Sequence, residues 1–225
     1  MEKIYANPLS EPSRTVAWLC QLNNHAIEYK FIDVMKGETR TEEHLRINPM
    51  GKIPVLVDGN FVLTESHAIM VYLVEKHGWF DWYPQEVKVR ARIHEYLNWH
   101  HLNTRLLSEI LMNELKVKSG RSTPEIEAAL KEKDKVIRSI VRQLEYWLRH
   151  GNAYIAAGSH ASIADLSCYN ELVQLEVAGH LSHVSDEFPN VSAWLKRMKS
   201  IPHHDQQLAP MIELSNKYGM NAAKM

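Results

Sequence analysis

The sequence predicts an α+β sheet domain followed by an all-helical domain. Strand-like and helical patterns alternate from Lys3 to His77, whereas from Val87 onward apolar positions recur only at helical spacing. Between them Gly78 to Gln85 (GWFDWYPQ) is an aromatic break holding both Gly and Pro. The expected division is 1–79 for the sheet domain, 80–87 for a linker and 88–225 for the helical domain.

At 225 residues the chain is long enough for one large or two modest domains. A formal net charge of −1 argues against nucleic acid as a partner, since phosphates need a basic face. The apolar run Ala68 to Val74 falls far short of the roughly 20 residues a membrane span needs. Met1-Glu2-Lys3-Ile4 lacks the apolar core of a secretory leader, so a cytoplasmic setting is expected. Cys20 and Cys168 stand alone among apolar residues and read as buried, reduced thiols.

Lys3 to Ala6 reads as a strand, and Asn7-Pro8-Leu9-Ser10 as a turn into a helix opening at Glu11. That helix has apolar residues at Val16, Leu19, Cys20 and Leu22, with Ser10 at the N-cap and Pro12 in the first turn. Ile27 to Val34 alternates as a second strand, which makes a βαβ unit with a parallel pair. Lys36 to Arg46 is polar and irregular or briefly helical. Val55 to Val57 and Phe61 to Leu63 are short strands across an Asp58-Gly59-Asn60 turn, a hairpin signal, and Ser66 to His77 is a helix. This order of elements is thioredoxin-like.

In the second half, Val87 to about Val117 carries one continuous apolar helical face. Thr123 as N-cap and Pro124 at the first helical position start another long helix to about His150, with Gly151 as its stop. Ser162-Ile163-Ala164-Asp165 is a capping box before the apolar run Leu166 to Val177. Phe188-Pro189 opens a helix that Pro202 ends, and the tail after Pro210 is a short helix or a frayed end.

The stretch Asn48 to Ser66 concentrates the chemistry. An Ile53-Pro54 step at a strand start presents exposed backbone groups, because proline cannot donate to a ladder. Glu65-Ser66 at a helix start offers free N–H groups and the positive end of the dipole to an anion. Together they predict a pocket for a peptide-like ligand carrying a carboxylate.

The combination N-P-M-G-K-I-P-V-L (Asn48 to Leu56) with T-E-S (Thr64 to Ser66), ahead of an all-helical half, resembles the cytosolic glutathione S-transferases over nearly the whole chain. Ser10-Glu11-Pro12-Ser13-Arg14 and Glu95-Tyr96-Leu97-Asn98-Trp99-His100-His101 resemble the theta class of that family. The resemblance implies a GST fold, a homodimer, glutathione as co-substrate and a small hydrophobic electrophile bound between the domains. It adds no cofactor, while charge, apolar run length and histidine spacing predict no nucleic acid, no membrane and no metal.

Such a site must turn a thiol, with a pKa of roughly 8.5, into the attacking thiolate. Lowering that pKa by about two units needs roughly 2.7 kcal/mol of preference for the anion. A hydroxyl hydrogen bond to the charged sulfur supplies roughly 1.5–3 kcal/mol and a helix N-terminus roughly 0.3–1 more. One aimed serine is sufficient in magnitude. Spacing alone favours a plain N-cap at Ser10, but the residue matches the theta-class catalytic serine, and the resemblance reverses that preference. Ser13 is its nearest competitor, in a supporting role, and Tyr5 resembles the catalytic tyrosine of other classes.

The resemblance implies that Ile53, before a cis Pro54, pairs its backbone with the cysteinyl part of glutathione. Glu65 would take the γ-glutamyl ammonium, Ser66 its carboxylate, and Lys52 the glycyl carboxylate. Thr39 stands where theta enzymes often place a histidine, with Arg40 as a substitute contact. Leu102 replaces an acidic residue of some relatives, while Arg105 keeps its place and reaches its own or a partner's site. The adjacent pairs His100-His101 and His203-His204 lack the i,i+4 spacing of helical metal ligands. Besides conjugation, the same thiolate serves a peroxidase or a dehalogenase, and a glutathione-binding or protein-interaction module with little activity is the reading from a different class.

Overall fold

The computed structural model describes residues 2–156, 158–181 and 184–220. Strand β1 (Glu2–Ala6), helix α1 (Glu11–Leu22) and strand β2 (Glu28–Phe31) form the βαβ unit. A 3-10 turn (Glu38–Arg40) and helix α2 (Glu42–Ile47) lead to the hairpin β3 (Val55–Asp58) and β4 (Phe61–Thr64), then to α3 (Ser66–His77). The sheet order is β2-β1-β3-β4, with β1 parallel to β2 and antiparallel to β3. Burial alternates along β1: Glu2, Ile4 and Ala6 point to the packed face, where α1 lies against α3. Tyr5, on the opposite face, meets the His44 ring of α2 edge-on at 6.5 Å.

The helical half comprises α4 (Val87–His100), α5 (Arg105–Lys118), α6 (Pro124–Lys131), α7 (Lys133–Trp147), α8 (Ile163–Val177), α9 (Val184–Glu187), α10 (Pro189–Lys199) and α11 (His204–Tyr218). Helix α8 is its axis, buried along all but its last turn, and it packs against α1, α3, α4, α5, α10 and α11. Its capping box forms: Asp165 accepts from the Ser162 N–H and hydroxyl, both at 2.9 Å. The other Asp165 oxygen accepts from the Ile155 N–H and the Trp194 indole, so one buried carboxylate ties three segments. The aromatic break packs between the halves: Trp82 lends its carbonyl to the Ile163 N–H at 2.9 Å, and the Tyr83 hydroxyl meets His94 Nε2 at 2.7 Å.

Three expectations are corrected. The face from Val87 to Val117 belongs to two helices, because Asn103 and Thr104 compete for helical hydrogen bonds. Asn103 Nδ2 takes the Trp99 carbonyl at 2.8 Å while its N–H goes to His100, and Thr104 Oγ1 bonds His100 Nδ1 at 2.9 Å. The helix from Thr123 also divides. Thr123 caps α6, but the Glu132 N–H closes a tighter bond to Ala129, and α7 stops at Trp147, whose carbonyl accepts from Asn152 Nδ2. The tail after Pro210 is helical, but it is no separate helix: α11 opens upstream at His204 and runs through Pro210 to Tyr218.

Candidate active site

The loop from Asn48 to Pro54 is held by its own side chains. Asn48 Nδ2 donates to the Lys52 carbonyl at 2.9 Å, and its Oδ1 accepts from the Met50 N–H at 3.1 Å. Buried His44 donates from Nε2 to the same Lys52 carbonyl at 3.1 Å. Gly51 is required here: φ is 60°, and a Cβ would lie 2.7 Å from Arg40 Nη1 and 2.9 Å from the Thr39 carbonyl. The Ile53–Pro54 peptide is cis, in line with the resemblance.

Glu65 has φ 68° and ψ 112°, a region costing a non-glycine residue about 1–3 kcal/mol. This single residue turns the chain from β4 into α3. It leaves the Glu65 side chain exposed and puts Ser66 at the start of a 12-residue helix whose first N–H groups lack helical partners. Lys52, Ile53, Pro54, Glu65 and Ser66 line one side of a cleft of about 660 Å³, and His100, His101 and Arg105 line the other.

A second chamber, of about 380 Å³, adjoins it and shares Lys52, Ile53, Arg105, Ser108 and Met112 with it. Its walls are aliphatic and thioether groups such as Met35, Leu111, Leu115, Met211 and Met220, with no aromatic ring among the described residues. Ser10 lines this chamber. Its N–H and carbonyl are engaged with Asn7 and Arg14, both at 2.9 Å, but its hydroxyl caps nothing and bonds no described residue. The expected N-cap is therefore one of position only.

Behind both spaces a buried polar network joins the two halves. Arg105 Nη1 lies 3.3 Å from Glu11 Oε2 on α1 and 3.3 Å from Glu171 Oε1 on α8. Ser108 donates to Glu171 Oε2 at 2.6 Å, and Gln174 Nε2 donates to the same oxygen at 3.0 Å. Arg14 donates to Gln174 Oε1 and to the carbonyls of Pro8 and Leu9, which clamps the turn carrying Ser10. Burial pulls Arg14 down to about 10, against the pull of Glu11 and Glu171. Burial, and then the Glu11 carboxylate, push Glu171 well above the usual carboxylate range. Burial opposes the Arg105 charge, but Glu171 and Glu11 outweigh it and raise its pKa.

Three imidazoles gather beside Ser66: His67 lies 4.6 Å from His100 and 5.2 Å from His101, centre to centre. Burial first, then His101, holds His67 down to about 3, and burial first, then His67, holds His100 down to about 2. His100 Nε2 stands 3.6 Å from Glu171 Oε1. That contact is not an ion pair, since burial keeps the His100 imidazole neutral.

Of the residues singled out in the sequence, Lys52, Ile53, Pro54, Glu65, Ser66 and Arg105 meet in the polar cleft, and Ser10 and Thr39 face the apolar chamber. Arg105 lines the cleft of its own chain. Ser13 and Arg40 line neither space. The helical phase turns Ser13 onto the packed face, where it is wholly buried, and Arg40 lies over Gly51 with Nη1 3.4 Å from the Met50 carbonyl. The network of Glu11, Arg14, Glu171 and Gln174 escaped sequence reading. Its signal was Glu171 and Gln174, three residues apart in the Leu166 to Val177 run that the sequence marks for burial.

Residues 3–75 match the family described as glutathione S-transferase, N-terminal domain, and residues 116–204 the glutathione S-transferase, C-terminal domain. The chain belongs to the glutathione S-transferase family. Proteins of the theta type are among its relatives there. Glutathione S-transferase T1 of Arabidopsis thaliana is 32% identical over 91% of this chain and 86% of that protein. Glutathione S-transferase theta-2 of Mus musculus is 33% identical over 88% of this chain and 80% of its own length. The chain spans only 36% of two longer Arabidopsis relatives, T2 and T3. The crystal structure of human glutathione transferase theta-2, in complex with glutathione and an unknown ligand, superposes with a TM-score of 0.88 at 28% identity. That match covers 97% of this chain and 90% of that one. Human glutathione S-transferase T1-1 in its apo form gives 0.82 at 28% identity, over 96% and 91%.

Proposed function

We propose that the chain is a glutathione transferase in which the Ser10 hydroxyl stabilises the glutathione thiolate for attack on a small apolar electrophile. The observation that carries this reading is the junction of the two spaces, a polar cleft adjoining an apolar chamber lined by Ser10, whose hydroxyl is unengaged. In this reading Glu65 takes the γ-glutamyl ammonium and Ser66 with the α3 N-terminus its carboxylate, while the Ile53 backbone pairs with the cysteinyl unit and Lys52 meets the glycyl end. Thr39 bounds the chamber, and Arg40 acts one step back by holding the Gly51 turn. Ser10 donates to the sulfur, worth roughly 1.5–3 kcal/mol in favour of the anion. Glutathione is a co-substrate, and no further cofactor takes part. The same reading includes a cytoplasmic setting, carried over from the resemblance, and a homodimer, supported by the exposed apolar side chains Phe61 and Val62 on edge strand β4.

The test is Ser10→Ala with the bound thiol followed by its ultraviolet thiolate absorbance. The thiol pKa should rise by about one to two units and turnover of an alkyl halide should fall roughly 10–150-fold, at about 1.4 kcal/mol per tenfold. Glutathione affinity should stay within a few-fold. An unchanged thiol pKa in a variant that still binds glutathione defeats the assignment.

A further inference from the structure

At the opposite end of α1 and α3 from the cleft, three side chains from distant parts of the sequence converge. Glu2 on β1 is almost buried, at 7% exposure. Its Oε2 lies 2.5 Å from Nε2 of His25, just past the end of α1, and its Oε1 lies 2.9 Å from Nε2 of His77, the last residue of α3. The two imidazole rings stand 4.4 Å apart, and Trp79 stacks on His77 at 4.9 Å and meets His25 edge-on at 5.2 Å. One ligand atom from each of the three residues falls within 4.8 Å of the others.

We infer that Glu2, His25 and His77 form a binding site for a divalent transition ion of the zinc type. Two imidazole nitrogens and one carboxylate oxygen are an established zinc donor set, with a fourth position for water. Tetrahedral ligands at roughly 2.0–2.1 Å sit about 3.3 Å apart, so side-chain shifts of about an ångström close the site. Both histidines are partly open, at 21% and 25% side-chain exposure, which gives a hydrated ion an approach.

The surroundings favour a cation. Helices α1 and α3 end here, and each helix C-terminus carries about half a negative charge. Among the described residues Lys76 is the cation that competes for Glu2, with Nζ 2.7 Å from Oε1, but it also pairs with Asp58 and keeps that partner when Glu2 turns to the metal. The second convergent group, Glu11, His100 and Glu171, lacks this opening because Arg105 already lies 3.3 Å from both carboxylates. The proposed site lies one 12-residue helix length, about 18 Å, from the cleft and ties β1, the α1–β2 turn and the end of α3 together. It contrasts with the sequence-based expectation of no metal, which weighed only adjacent histidine pairs.

The test uses the whole chain, stripped with a chelator and titrated with Co²⁺, which is visible where Zn²⁺ is silent. One equivalent should give the strong visible bands of four-coordinate cobalt, bleach on adding Zn²⁺ and raise the thermal midpoint. Glu2→Gln and His77→Gln should each abolish the bands. Their affinity loss should exceed the about 10–100-fold that altering a mere support of a ligand costs. Far-UV circular dichroism verifies that each variant folds, and His25→Gln, at the more open rim, stands in for either one that does not. Only weak six-coordinate absorption in the unaltered chain, or bands that persist in the folded variants, overturns the site.

Discussion

At Glu65 the backbone holds φ 68° without a glycine, and the side chain stays exposed at the cleft mouth. A position that is conformationally costly and gains little from burial points to the cleft as its purpose. Glu65→Gln keeps the shape and removes the charge. Under the proposed function, the KM for glutathione should rise about tenfold, matching roughly 1.4 kcal/mol, with the urea midpoint unchanged. Equal KM values in the two proteins count against Glu65 as the ammonium partner. At Ser10 the contrast is of another kind. Its backbone is engaged like any N-cap, and only the unengaged hydroxyl distinguishes it.

Among the elements, α8 carries the greatest structural demand, and Asp165 is where that demand concentrates. Four donors from Ile155, Ser162 and Trp194 converge on this fully buried carboxylate. Burial pushes its pKa up despite those bonds. Asp165→Ala strands four buried donors and should cost about 3–5 kcal/mol, read from urea unfolding. A loss under 1 kcal/mol would show that the box contributes little. Arg14, farther along the same interface, links α1 to Gln174 of α8, so loosening α8 should also disturb the Ser10 turn. The thiol pKa of an Asp165→Asn variant tests that link, with a rise expected.

For the molecule as a whole, the histidines at the domain junction set the acid response. His67 and His100 have folded pKa values of about 3 and about 2, below their ordinary 6.5. Between those values and 6.5 the unfolded chain binds more protons than the folded one, so stability is full above 6.5 and falls as pH drops. Each histidine contributes at most about 1.4 kcal/mol per pH unit to that slope. Replacing both with asparagine should flatten the loss between pH 7 and pH 5. Urea titrations at the two pH values measure it, and an unaltered slope refutes the assignment. The proposed homodimer is checked at this scale too, since light scattering giving the mass of one chain contradicts it.

Short-range patterns were legible in the sequence. The alternation of β1, the Asp58-Gly59 turn, the Thr123 cap and the Ser162 capping box depend on neighbours a few residues apart and reappear in place, whereas the alternation from Ile27 to Val34 shrinks to the short edge strand β2, whose burial does not alternate. So did the polar half of the site, because Lys52, Ile53, Pro54, Glu65 and Ser66 lie close together along the chain. The breaks at His101–Thr104 and Glu132 were hidden, since they arise where side chains compete with the helix for single bonds that periodicity cannot register. Tertiary structure alone decided the rest. It turned Ser13 inward, freed the Ser10 hydroxyl, and brought Glu11 to Glu171 and Glu2 to His25 and His77. Those pairings depend on where helix ends arrive after packing, and no spacing along one chain encodes a contact between residues dozens of positions apart.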